Sequence, residues 1–320
     1  MKQTNQYSIP EQNNANFIRR FLIYQKERFP FIGHGLLISA FTFSAIGYAR
    51  ICRGVEGFID WNVFLPGVFT TFTLFFLLRI SDEFKDAEDD AKYRKELPVP
   101  RGLISLKELK RIGLIILFLQ LFVNIFFFPK MLVLYGIAIL YLFLMWKEFF
   151  IVNWLKKHQF WYVVSHMFII PLIDIYASGL DWFLVGVAAP TGLLFFFAVS
   201  YMNGIVIEVG RKIRTKEQES EGVLTYTAML GQKKALYLYI LVLIGTFTLA
   251  VLATYYAGFM DMAFGVLLVV LILCLLPALS FIVKPTQKKS KIIEVTSGIW
   301  TIAMYLTLGG LPMLNHLLLN

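Results

Sequence analysis

The sequence predicts an all-α membrane protein, nine transmembrane helices bundled around a central cavity. Three observations carry that expectation. The composition is too apolar for a water-soluble fold, nine apolar runs have spanning length, and Lys and Arg alternate between the connections that join them.

The chain has 320 residues, 58% of them hydrophobic and only 16% charged, with a mean hydropathy of +0.67. A soluble domain carries about 25% charged residues. A spanning helix needs about 20 mostly apolar residues. Runs of that kind fall at roughly 31–50, 61–81, 111–128, 131–147, 160–178, 182–208, 235–256, 260–283 and 293–313. Only Pro129 and Lys130 separate the third from the fourth, which implies a tight hairpin. No polar linker divides the chain. The expected organisation is a polar N-terminal tail over 1–28 and one transmembrane domain over 29–320. Residues from Met1 to about Asn16 are rich in Asn and Gln and lack the apolar core of a signal peptide. They read as a disordered tail, so the first apolar run acts as an uncleaved membrane signal.

The net charge of +9 would suggest nucleic acid in a soluble protein. Here the basic residues sit in connections between apolar runs, so no nucleic-acid partner is expected. The tail and the stretches 81–112, 147–159, 209–236 and 284–292 hold 26 of the 30 Lys and Arg residues. The exceptions are Arg50, Arg53, Arg79 and Lys130. Positively charged connections stay on the cytoplasmic side. The prediction is an integral protein of a bacterial inner (plasma) membrane, N-terminus inside and C-terminus outside. Cys52 and Cys274 lie far apart, within or beside apolar runs, and form no disulfide framework or metal-ligand pair.

Two inside connections are longer and more polar than the rest, after the second and sixth runs, and long polar loops tend to carry function. The first begins Arg79-Ile-Ser-Asp82-Glu83-Phe-Lys-Asp86-Ala-Glu88-Asp89-Asp90. On one continuous helix Asp82, Asp86 and Asp90 would stack on a single face, with Glu83 beside them. Like charges so spaced repel by a few tenths of a kcal/mol per pair, so the cluster needs a counter-charge. Neighbouring lysines on a solvated helix end would serve. So would magnesium, which commonly joins one or two carboxylates to substrate phosphates. A basic run, Lys92, Arg94 and Lys95, follows, and then Leu97-Pro98-Val99-Pro100-Arg101-Gly102.

Asp82-Glu83-x-x-Asp86-x-x-x-Asp90, followed by Pro98-Val-Pro100-Arg-Gly102 and Ser105-Leu-Lys-Glu108, resembles the first signature of the UbiA superfamily of intramembrane prenyltransferases. That signature runs Asn-Asp-x-x-Asp-x-x-x-Asp, then Arg-Pro-Leu-Pro-x-Gly. Asp82 stands in the Asn position and Glu83 in that of the first Asp, whereas Asp86 and Asp90 match outright. Arg94 and Lys95 fall where the family places phosphate-binding basic residues. The family's architecture is likewise nine-helical.

The second connection contains Asn203, Glu208, Arg211 and Lys212, then Gly222-Val-Leu-Thr225 through Gly231. The Gly222–Gly231 stretch resembles the family's second signature. The acidic part departs from it, because no Asp is present and Glu208-x-x-Arg211-Lys212 occupies the zone. Glu208 either ligates magnesium or pairs with Lys212 four residues on. Glu217, Glu219 and Glu221 read as a solvated loop. His166 and Asp174, eight residues apart in the fifth run, share a face and could line an acceptor pocket with Asn203, or simply pack as polar groups. Lys147, ending the fourth run, could reach a diphosphate or snorkel to the interface.

The resemblance implies an enzyme that transfers a prenyl group from an isoprenoid diphosphate to an aromatic or other lipophilic acceptor, with Mg2+ as cofactor. Asp82, Glu83, Asp86 and Asp90, with Glu208, would be the catalytic metal ligands. Arg94, Lys95, Lys147, Arg211 and Lys212 would hold the diphosphate. A terpene cyclase on the same scaffold, needing no acceptor, is an alternative. A cation permease is another, although transporters usually place such sites near the midplane on broken helices.

Overall fold

In a computed structural model, residues 15–319 are described. Nine helices among them are long and apolar enough to cross a membrane, matching the nine runs read from the sequence. We number the helices in chain order: α1 Phe17–Arg28, α2 Phe31–Cys52, α3 Trp61–Lys85, α4 Ala87–Tyr93, α5 Leu106–Phe127, α6 Leu132–Trp146, α7 Val152–Lys157, α8 Gln159–Met167, α9 Ile169–Trp182, α10 Leu193–Arg211, α11 Tyr226–Leu230, α12 Gln232–Tyr256, α13 Met260–Val283, α14 Gln287–Tyr305 and α15 Leu311–Leu319. Helices α8 and α9 together make one span, and α14 continues through a π-turn, Leu306–Gly310, into α15.

Burial sorts these helices into two shells. Half or more of the spanning windows of α2, α3, α8–α9, α10 and α14 is buried, against a third or less for α5, α6 and α13, with α12 in between at 39%. The outer helices turn Phe118, Phe126, Leu140, Val269 and Leu276 outward, the surface a bilayer solvates. Without a hydrophobic drive between helices in lipid, small residues and interhelical hydrogen bonds set the packing. Both appear here. Gly309 lies against the Ser44 backbone so closely that no Cβ would fit. Gln120 donates to Thr73 Oγ1 at 2.7 Å and accepts from Tyr135 at 3.0 Å, while Tyr176 donates to Asn124 at 2.8 Å. These bonds tie α3, α5, α6 and α9 together.

Three local differences from the sequence reading have physical causes. Residues 17–28, grouped there with the polar tail, form α1, whose Tyr24 is fully buried. Arg20 donates to Glu108 at 2.6 Å and to the Leu103 carbonyl at 2.9 Å, which fastens α1 to the bundle. Residues 1–14 of the expected tail lie outside the described residues. The fifth run is broken between Met167 and Ile169. Residues 183–192, expected to open the sixth span, form a loop with Gly186 at φ +76°, so α10 starts at Leu193. Glu108 meanwhile completes a capping box with Ser105 at the start of α5.

Two of the exceptions to the basic alternation are also explained. Arg50 and Arg53, at the end of α2, pair with the buried Asp181 at 2.9 and 2.6 Å.

Candidate functional site

The acidic connection leaves α3 as a helix that stops and restarts. Asp86 sits at the junction of α3 and α4, at φ −90° and ψ 2°. The break relieves the stacking of like charges and puts Glu88, Asp89 and Asp90 in the first turn of a new helix, where its dipole favours anions. Asp82, Asp86 and Asp90 therefore do not share one uninterrupted helical face.

The acids divide by partner. Glu83 is buried and turned toward α1, accepting from Arg28 Nε at 2.7 Å, with Arg79 at 3.4 Å. Burial and the Glu83 charge push the neighbouring Tyr24 hydroxyl well above its ordinary range. Asp90, also buried, pairs with Arg94 at 3.1 Å. Asp82 pairs with Lys85 at 3.5 Å and more loosely with Arg79 at 3.8 Å. Asp86 is half-buried, and its side chain makes no ion pair or hydrogen bond among the described residues. Burial pushes its carboxyl above the usual range, Lys85 pulls it back, and Asp82 pushes it up again.

The other elements close around Asp82 and Asp86. Lys85 Nζ lies 5.2 Å from the Tyr162 ring of α8. Tyr162 stacks on His166 at 4.0 Å, and the buried His166 Nε2 has no hydrogen-bond partner. His166 lies within electrostatic reach of Lys85, Asp82 and Glu208, and Arg211 within reach of Asp82. The ends of α3, α8 and α10 thus converge. The two polar connections also touch: Gly222, at φ +73°, packs on the Tyr93 ring of α4 with no room for a side chain between them.

Glu208 adopts the paired alternative. Its Oε1 meets Lys212 at 2.5 Å and its Oε2 accepts from Arg211 Nε at 2.8 Å, so both carboxylate oxygens are engaged. Of the three acids read as a solvated loop, Glu217 and Glu221 are exposed, whereas Glu219 is half-buried. It accepts from Thr225 at 2.5 Å and Thr227 at 2.7 Å, pinning the connection. Lys95 is exposed. Lys147 is exposed and its ammonium sits 4.0 Å over the Trp146 ring, the interfacial arrangement.

Asp174 and Asn203 lie deeper than His166. Asp174 is fully buried, with Ser200 and Tyr305 as neighbours. Asn203 accepts from Trp300 Nε1 at 3.1 Å and leaves its amide nitrogen unpaired. The sequence reading missed Lys85, Tyr162 and Glu148. Glu148 follows α6, is buried, and has an unpartnered Oε2. An acid just beyond an apolar run is the signal that marked it.

Among the described residues no three His, Cys, Asp or Glu side chains converge on a single metal position. Magnesium does not need three. It keeps several waters and takes one or two carboxylates plus phosphate oxygens. A half-buried carboxylate without an ion pair, next to a second one, suits that habit, so Asp86 and Asp82 fit the ion.

A comparison with curated protein sequences found no significant match. Among solved structures the fold is similar to that of a digeranylgeranylglyceryl phosphate synthase, at TM-score 0.58 and 20% identity over 91% of this chain and 98% of that one. The sequence profile of the UbiA prenyltransferase family matches residues 39–311. That match runs from within the first span to within the ninth and takes in both polar connections, and the chain belongs to the UbiA prenyltransferase family.

Proposed function

We propose that the protein transfers a prenyl group from an isoprenoid diphosphate to a lipophilic acceptor in a magnesium-dependent reaction at the convergence of α3, α8 and α10. The observation that carries this reading is the half-buried, unpaired Asp86 beside Asp82, ringed by Lys85, Arg94 and Arg211. Carboxylates suit a divalent cation, and the surrounding cations suit a diphosphate.

In this reading Asp82 and Asp86 hold magnesium, which when bound adds positive charge that stabilises diphosphate as a leaving group. Arg94, Lys95, Arg211 and Lys212 bind the diphosphate oxygens. Glu208 orients Arg211 and Lys212, and would be free as a ligand only if those pairs opened. Asp90 holds Arg94, and Glu83 anchors α1 through Arg28. The C1–O bond of the prenyl chain breaks and its electron pair leaves with the diphosphate. Positively charged residues fixed in place before the reaction stabilise the charge that develops there. An electron pair of the acceptor then forms the new bond at C1, and the acceptor loses a proton. The apolar bundle excludes water that would otherwise capture the cation. His166, at the rim, and Asp174 and Asn203, below it, line the route an acceptor would take. In this reading the protein sits in a bacterial inner membrane with this end cytoplasmic and the C-terminus outside, an orientation that the Lys and Arg bias favours.

The test is incubation of purified protein and magnesium with prenyl diphosphates of graded length and a membrane-lipid extract, read by mass spectrometry. A prenylated lipid and free diphosphate are expected. A cyclised hydrocarbon without added acceptor would indicate the cyclase alternative. No diphosphate release from any chain length would overturn the reading, and metal flux in liposomes would then point to the permease.

A further inference from the structure

Glu148 stands outside both signatures, on the turn between α6 and α7. It is 6% exposed, and its Oε2 is buried with no hydrogen-bond partner among the described residues. A buried carboxylate oxygen without a hydrogen bond is costly, of the order of several kcal/mol if charged, and a cation bound there would offset that cost.

The backbone that presents Glu148 is unusual. Glu148, Phe149 and Phe150 have φ of +46°, +52° and +60°, three successive non-glycine residues in the left-handed region. Each such residue costs about 1 kcal/mol or more. The turn is held by Phe150 N–H to the Lys147 carbonyl and Ile151 N–H to that of Glu148, both at 3.0 Å. Phe149 seats its ring 5.4 Å from Tyr141 and edge-on to His166 at 6.0 Å. The strained turn therefore points Glu148 inward while Lys147 goes out to Trp146.

The neighbours of Glu148 belong to the site described above. Burial raises its carboxyl above the ordinary range, Lys85 and Lys156 draw it down, and Asp86 and Asp89 push it up. Lys85 pairs with Asp82 and lies within electrostatic reach of Asp86 and Glu148. On the α10 side, by contrast, both oxygens of Glu208 are occupied by Arg211 and Lys212. The α6–α7 turn supplies an acidic oxygen that no described residue engages.

We infer that Glu148 is a further divalent-cation ligand of the diphosphate site, presented to it by the α6–α7 turn whose Phe149 packs on His166. The inference rests on the proposed function. Because the three acids do not converge on one position among the described residues, Glu148 would hold a cation of its own rather than share the one at Asp82 and Asp86, and that cation would add positive charge for the diphosphate.

The experiment uses the full chain in lipid nanodiscs, Mn2+ as a paramagnetic probe, and inorganic diphosphate. Bound Mn2+ is counted by electron paramagnetic resonance. In the wild type, diphosphate-dependent Mn2+ binding is expected. Glu148→Gln should weaken one class of bound Mn2+ by about tenfold or more, with Asp86→Asn removing the other. Glu148→Asp, which keeps the charge on a shorter arm, should bind between wild type and Gln. Unchanged Mn2+ binding in folded Glu148→Gln, with loss in Asp86→Asn, would sink this inference and leave the proposed function standing. Absence of diphosphate-dependent Mn2+ binding in the wild type would overturn both. Should Glu148→Gln fail to fold, Glu148→Asp decides, since unchanged affinity there overturns the assignment.

Discussion

Gly222 in the second polar connection lies directly against the ring of Tyr93 in the first, at φ +73° and with no space for a Cβ. Two loops far apart in sequence are thereby docked over the converging helix ends. Gly222→Ala should cost about 1–3 kcal/mol, from the left-handed backbone and the overlap with the ring. Thermal unfolding of the single and double variants checks it: in a Tyr93→Ala background the cost should shrink toward the backbone part alone. Equal costs in both backgrounds would contradict the docking.

Asp86→Asn keeps the shape of the side chain and removes its charge. Diphosphate release should fall at least about 100-fold, from loss of a metal ligand in the transition state, while the unfolding temperature changes little. A near wild-type rate on every prenyl diphosphate tried would exclude Asp86 from the reaction.

The raised Asp86 carboxyl also sets a pH dependence. A group whose folded value lies above its unfolded value binds protons more readily in the native state. Metal-free stability then falls as pH rises through that raised range. Divalent cations bind the deprotonated form, so their stabilisation should grow over the same interval. Unfolding temperatures measured from just above the ordinary carboxylate range to neutrality, with chelator and with Mg2+, should diverge as pH rises. In Asp86→Asn the two curves should run closer to parallel.

Arg28 and Glu83 join α1 to the bundle through a nearly buried pair. Arg28→Ala should destabilise by about 2–3 kcal/mol, less than the full cost of breaking a buried pair, since Arg79 also reaches Glu83. Mn2+ affinity should change little, because Glu83 faces α1 rather than Asp86. A large loss of metal binding without loss of stability would return Glu83 to the metal-binding set.

Asn203→Ala removes the acceptor of the buried Trp300 N–H. The expected cost is about 1–3 kcal/mol, read by unfolding. A role beside the acceptor predicts in addition a raised KM for acceptor at constant KM for diphosphate, which a packing role alone would leave untouched.

Composition and periodicity sufficed for the nine spans, because a bilayer demands long apolar helices and leaves few other solutions. The spacing of Asp82, Asp86 and Asp90, with the Pro98–Gly102 turn, likewise marked the family and the acidic end of α3. Partner choice was not legible. Asp82 and Glu83 are adjacent in sequence, yet one faces Lys85 and the other Arg28, because successive helical residues point about 100° apart and α1 has no apolar run of spanning length to announce its docking. The inward aim of Glu148 and the outward aim of Lys147 follow from a left-handed turn that no residue type there foretells. The chain by itself determined which segments cross the membrane and which end carries the acids. Which acids keep a free oxygen was decided by tertiary packing, since that depends on cations brought from helices distant in sequence.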